Sequence, residues 1–224
     1  VLVFDVAHKN IVSCFLDDRS RFAMGFGLVQ DRITLIQYEG NILSFSADGV
    51  VHSDKVKAEI LGGQFIGDTA YCVVKDASLM KLVFENGQWK EAKRIPPPFT
   101  VWPNDLDGHV YPFCVNAKGE VMIKFRNNEG LRSSMCTYRQ ERWKTESCEE
   151  DLAPIAMHPS GKYCVSATRN SLEAWTTGSP TLIPGYMQLK ELTAFDKVAV
   201  AGDQHLLLAA SHLNGLYAFS LDKI

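Results

Sequence analysis

Between Ala156 and Trp175, apolar and polar residues alternate in two short runs, Lys162 to Ala167 and Ser171 to Trp175. A polar turn separates the runs, and a second turn at Ser160-Gly161 precedes them. Alternation with a period of two marks half-buried strands, and Gly, Asn and Ser between such runs mark hairpin turns. The stretch predicts a hairpin with a third strand leading in, and the same unit recurs along the chain. Ile33 to Phe45, Thr69 to Leu82, Val110 to Ile123 and His205 to Phe219 each read strand, turn, strand, ending in an aromatic or large apolar residue. The first apolar residues of the second strands are Leu43, Leu79, Val121, Leu172 and Leu216, spaced 36, 42, 51 and 44 residues apart.

That spacing is the spacing of propeller blades. The predicted fold is an all-β propeller of four-stranded blades around a central channel, one domain over residues 1–224. It has about five blades, or forms part of a six- or seven-bladed ring. Val1 to Val6 matches Leu216 to Leu221 and begins 42 residues before Leu43, as the end of another blade would. The last blade has an inner strand, Val198 to Ala201, and a hairpin but no outer strand. The N-terminal strand is therefore expected to pair with it and close the ring, leaving no open sheet edge. Glu85 to Arg94, charged around Trp89 with Gly87 inside, reads as an outer strand. Two insertions interrupt the period, Ile95 to Gly108 and Arg126 to Asp151, and insertions in repeat arrays gather on the binding face.

Composition narrows the class. With 46% hydrophobic residues and 22% charged residues, the chain can bury a core and is not of disordered type. A net charge of −3 provides no general basic field, so neither nucleic acid nor anionic membrane is suggested as a partner. No apolar run approaches the roughly 18 residues of a membrane-spanning helix. The six cysteines include Cys72, Cys114 and Cys164 at the same place in successive hairpins, where small buried thiols belong. No Cys-x-x-Cys pair and no Asn-x-Ser/Thr acceptor occurs. These features point to a cytoplasmic or nuclear protein. Secretion is the alternative, in which Cys136 and Cys148 could close a local loop.

His158-Pro-Ser-Gly161 through Trp175 resembles the WD-repeat pattern, in which such a turn leads to a core hairpin ending in Trp-Asp. Here Thr176 follows Trp175, and no blade carries the complete signature. Val198 to Phe219 is similar to repeats of the chromatin-associated exchange factor family. Ser78 to Ile95 with Trp89, and Val121 to Lys144 with Trp143, are similar to tachylectin and tectonin lectin repeats. These resemblances imply the fold more than an activity.

An enzyme needs a site, and none is legible. Propeller glycosidases set paired carboxylates on inner strands, whereas the inner stretches Phe22 to Phe26, Leu61 to Phe65, Ile155 to Met157 and Val198 to Ala201 hold no acid. Asn104-Asp105-Leu106-Asp107-Gly108 offers oxygens of the kind calcium takes, but too few for its coordination shell, and an Asx turn explains the same residues. No metal or other cofactor is expected, and the six scattered histidines read as structural caps. Trp175 reads as core, whereas Trp102 sits between prolines in an inserted loop. Trp89 and Trp143 either pack between blades or lie exposed beside Lys90, Arg142 and Lys144.

The expected function is a non-catalytic scaffold that presents a rigid loop face to another protein or complex subunit. The partner-binding residues are expected to be Trp102, Asp105 and Asp107 in the first insertion and Arg139, Arg142 and Trp143 in the second. Aromatic and Arg residues of this kind anchor interfaces. The alternative is a carbohydrate-binding propeller with a glycan site between blades, which needs the same aromatic at each blade. Arg19 to Arg32 and Gly178 to Glu191 lack it.

Overall fold

The computed structural model describes residues 2–5, 10–14, 23–46, 49–99, 113–116, 118–126, 133–147, 154–158, 161–167, 172–177, 197–201, 206–211 and 215–220. They form antiparallel strands in two compact units, Val1–Pro96 and Pro97–Ile224. In the N-terminal unit β1 (Leu2–Asp5) pairs with β2 (Asn10–Cys14). The first four-stranded sheet follows, with β3 (Ala23–Val29), β4 (Arg32–Gln37), β5 (Asn41–Ser46) and β6 (Gly49–Lys55) in sequence order. The second has the same order in β7 (Ile60–Ile66), β8 (Thr69–Val74), β9 (Leu79–Glu85) and β10 (Gln88–Ile95).

The C-terminal unit opens with a four-stranded sheet of β11 (Phe113–Val115), β12 (Val121–Arg126), β13 (Ser133–Arg139) and β14 (Arg142–Ser147). Two three-stranded sheets follow, β15 (Pro154–Met157), β16 (Tyr163–Ala167) and β17 (Leu172–Thr176), then β18 (Lys197–Ala201), β19 (Leu206–Ser211) and β20 (Gly215–Ser220). All five predicted hairpins are present, and Gln88–Ile95 is the outer strand expected around Trp89. One pairing differs from expectation: Leu2–Asp5 takes Asn10–Cys14 as its ladder partner rather than the C-terminal sheet. A partner only a few residues away costs little loop-closure entropy, which favours the local hairpin.

The turns follow the residues that make them. Asn86-Gly87 joins β9 to β10 with φ of 53° and 76°, the left-handed pair that Asn-Gly accepts readily. Gln30-Asp31 and Gln140-Glu141 are left-handed at both positions without glycine or asparagine, a conformation costing on the order of 1 kcal/mol per residue.

Alternation decides what each sheet face meets. In the N-terminal unit Ile36 and Ile42 of the first four-stranded sheet pack with Ala70, Cys72, Met80 and Leu82 of the second, all at most 0% exposed. Each large apolar side chain so buried contributes about 1.5–3 kcal/mol. The first strands of the two sheets run in close contact, because Gly25 leaves no side chain there. A Cβ on Gly25 would collide with the carbonyl oxygen of Gly63. In the C-terminal unit one core is nearly all sulfur: Cys114, Met122, Met135, Met157 and Cys164 surround Trp175. Flexible thioethers and small thiols fill irregular gaps between twisted sheets.

Cys72, Cys114, Cys136 and Cys164 are buried, and Cys148, the other member of the local bridge considered above, lies outside the described residues. Burial pushes the Cys164 thiol up to about 12 and raises Cys114 strongly, with the nearby Cys164 adding to that rise. Trp175 is core, as expected.

Candidate partner-binding surface

At one end of the C-terminal unit, three turns of neighbouring sheets are tied together by polar contacts. The β11–β12 turn, Asn116 to Glu120, is an Asx-type turn in which Asn116 Oδ1 accepts the backbone N–H of Lys118 and of Glu120, each at 3.0 Å. Asn116 Nδ2 donates to Glu120 Oε2 at 2.8 Å. This aims the Glu120 carboxylate at the end of β13, where Arg139 Nε stands 2.9 Å from Glu120 Oε1. That contact is ionic, because the Nε–H is not directed at the oxygen and finds no hydrogen-bond acceptor. The same guanidinium reaches the next sheet, with Nη2 donating to the Gly161 carbonyl at 3.0 Å, and Thr177 Oγ1 donates to that carbonyl at 2.6 Å.

Gly161 suits this junction. Its φ is +71°, and a Cβ there would stand 2.5 Å from both Asn116 Nδ2 and Glu120 Oε2. The His158-Pro-Ser-Gly161 turn thus serves as the seat for an arginine from the preceding sheet.

Arg139 and Arg142 are directly opposed across the β13–β14 hairpin. Like charges so placed repel, and Glu120 relieves the repulsion by engaging Arg139. Arg142 is exposed, as are Lys118 and Lys162 on the two adjoining turns. Trp143 points to the other face, half-buried, its ring 5.1 Å from Tyr138 and 6.2 Å from Phe125 between centroids.

Of the residues expected to bind a partner, the structure therefore gathers Arg139 and Arg142 in one turn cluster and sets Trp143 on the reverse face of the same hairpin. Trp102, Asp105 and Asp107 lie outside the described residues. Trp89 is 5% exposed, packed against Phe65 and Phe84, so it offers no ring face to a sugar. Glu120, Asn116 and Lys118 were not singled out by sequence. The signal was present in the matched positions of Asn116 to Glu120 and His158 to Gly161, each the first turn of its sheet.

The N-terminal unit has its own charged surface at the turns after β4 and β8. Tyr38 Oη donates to Glu59 Oε2 at 3.1 Å and Lys75 Nζ lies 2.7 Å from the same oxygen. The hydrogen bond with Lys75 chiefly holds Glu59 below its ordinary range. Arg94 joins Asp76 and Glu91 at 3.6 and 2.8 Å. Here cations and carboxylates satisfy one another.

The three-dimensional arrangement is similar to that of solved propellers. Over 98% of this chain and 90% of the other, it is similar to the β-propeller domain of Myceliophteria thermophila Cps50 (Swd1), with a TM-score of 0.56 and 11% identity. The fold is a WD-repeat-like β-propeller. KlAtg21, solved in complex with the coiled-coil of AgAtg16, is similar over 94% of this chain and 70% of its own, with a TM-score of 0.58 and 9% identity. No family model and no curated protein matches the sequence. Identities this low carry the fold alone.

Proposed function

We propose that this propeller is a non-catalytic scaffold that binds another protein through rigid, charged turns. The observation that carries this reading is the locked turn cluster around Arg139, where three turns of two sheets are held by side-chain contacts while Arg142, Lys118 and Lys162 remain exposed. A preorganised polar rim loses little freedom on binding. Two further facts support it. The first strands of the larger sheets, β3, β7, β11, β15 and β18, contain no Asp or Glu. One similar propeller was solved bound to the coiled-coil of another protein.

The test is affinity purification of the tagged chain from its native cells, with quantitative mass spectrometry of the wild type beside Arg142→Glu and a Trp102→Ala variant. The expected result is at least one stoichiometric protein depleted severalfold by one of the variants at unchanged expression. The reading fails if nothing co-purifies above background, or if every captured protein is retained equally by both variants.

A further inference from the structure

The three turns around Arg139 differ in charge from the rest of the molecule. They carry Lys118, Arg139, Arg142 and Lys162 against Glu120 and Glu141, in a chain whose net charge is −3. The geometry makes the imbalance larger at the surface. Glu120 is the less exposed acid, at 18% of its side chain, and its two oxygens are engaged by Asn116 and Arg139. The exposed charges are then the three cations Lys118, Arg142 and Lys162, with Glu141 as the exposed carboxylate among them. The cluster is held in place by bonds made through the backbone: Asn116 fixes the Lys118 backbone, and Thr177 N–H donates to the Lys162 carbonyl at 3.0 Å. The β13–β14 turn between Arg139 and Arg142 is left-handed at Gln140 and Glu141. That strained hairpin presents Arg142 on the face shared with Arg139.

We infer that this turn cluster docks an acidic segment of the partner protein, a short run of Asp and Glu. The inference rests on the interaction reading above and names the partner's chemistry. Charge complementarity is the argument: an isolated positive rim on an acidic protein steers and selects an oppositely charged partner. Arg142, planar and unburdened by an ion pair among the described residues, suits bidentate carboxylate recognition. A nucleic acid fits less well. Neutralising a phosphate backbone takes many cations, and Glu141 stands among the three exposed here.

The test uses the full chain and a fluorescein-labelled peptide of ten alternating Asp and Glu residues, followed by fluorescence anisotropy. Binding is expected at low salt and should weaken as salt approaches physiological strength. Reversing Lys118, Arg142 and Lys162 together to Glu should reduce affinity by about tenfold or more. Reversing Lys55, Lys57 and Lys90, three exposed lysines of the N-terminal unit, should change it less than about twofold. Circular dichroism confirms that both triple variants are folded. Absent peptide binding, equal losses in the two variants, or tighter binding of a single-stranded oligonucleotide of equal charge would each overturn the inference. None of these outcomes bears on whether a protein co-purifies from cells, so the scaffold reading stands or falls separately.

Discussion

Asp54 Oδ2 accepts the backbone N–H of Trp89 at 2.7 Å, joining the outer strand of one four-stranded sheet to the outer strand of the next. The same oxygen lies 3.3 Å from His52 Nε2, and the His52 ring meets Phe84 edge-on. One carboxylate thus links a polar pair to an aromatic cluster of Phe65, Phe84 and Trp89. Asp54→Ala would leave the Trp89 N–H without its acceptor, and the expected loss is about 1–2 kcal/mol. Asp54→Asn keeps an oxygen acceptor and should cost less. Urea denaturation of both variants decides it; equal losses would mean that charge, not the hydrogen bond, is what matters.

Gly161→Ala combines two penalties, a left-handed backbone and a Cβ driven onto Asn116 and Glu120. A destabilisation of about 1–2 kcal/mol is expected. A double-mutant cycle with Arg139→Ala should show coupling, because the arginine is held by the carbonyl of that glycine. Additive losses would argue that the turn and the arginine act independently.

Gly25→Ala probes the approach of β3 to β7. The added methyl has no space beside the Gly63 carbonyl, so the strands must separate. Overpacking of this kind costs typically about 1–3 kcal/mol. A thermal midpoint unchanged from wild type would show that the two strands can part freely.

Acid should weaken the N-terminal unit through Arg94. Burial raises Asp76, but its Ser78 hydrogen bonds and the Arg94 charge bring it below its ordinary value; Glu91 is lowered chiefly by its hydrogen bond with Arg94. Carboxylates depressed in the folded state bind fewer protons there than when unfolded. Their contribution is therefore complete above the ordinary carboxylate range and is lost as pH falls through their lower folded-state values. Arg94→Ala should flatten that acid limb. The measurement is the denaturant midpoint against pH for both proteins, whose curves should converge at low pH.

The buried thiols should resist alkylation. With Cys164 pushed up to about 12 by burial and Cys72 and Cys114 also raised, none carries appreciable thiolate at pH 8. Pulsed iodoacetamide labelling with intact mass should show these three protected in native protein and modified after denaturation. Rapid native labelling of Cys72 would contradict the packing described for it.

Much of this protein was legible along the chain because its strands are local. Each strand pairs mainly with the next, so alternation of period two and a turn residue between runs are enough to place Ile33 to Phe45 or Lys162 to Trp175 as hairpins. The recurrence of those hairpins determined the fold class. What the tertiary structure alone decided lies between sheets. That Trp89 is packed while Arg142 is exposed, that Glu120 serves Arg139, and that Gly161 suits its junction depend on which face of one twisted sheet meets the next. Those contacts join residues such as Asp54 and Trp89, 35 positions apart, and no local pattern encodes such a meeting. Sequence period chose the elements; close packing between them chose which polar residues were left exposed.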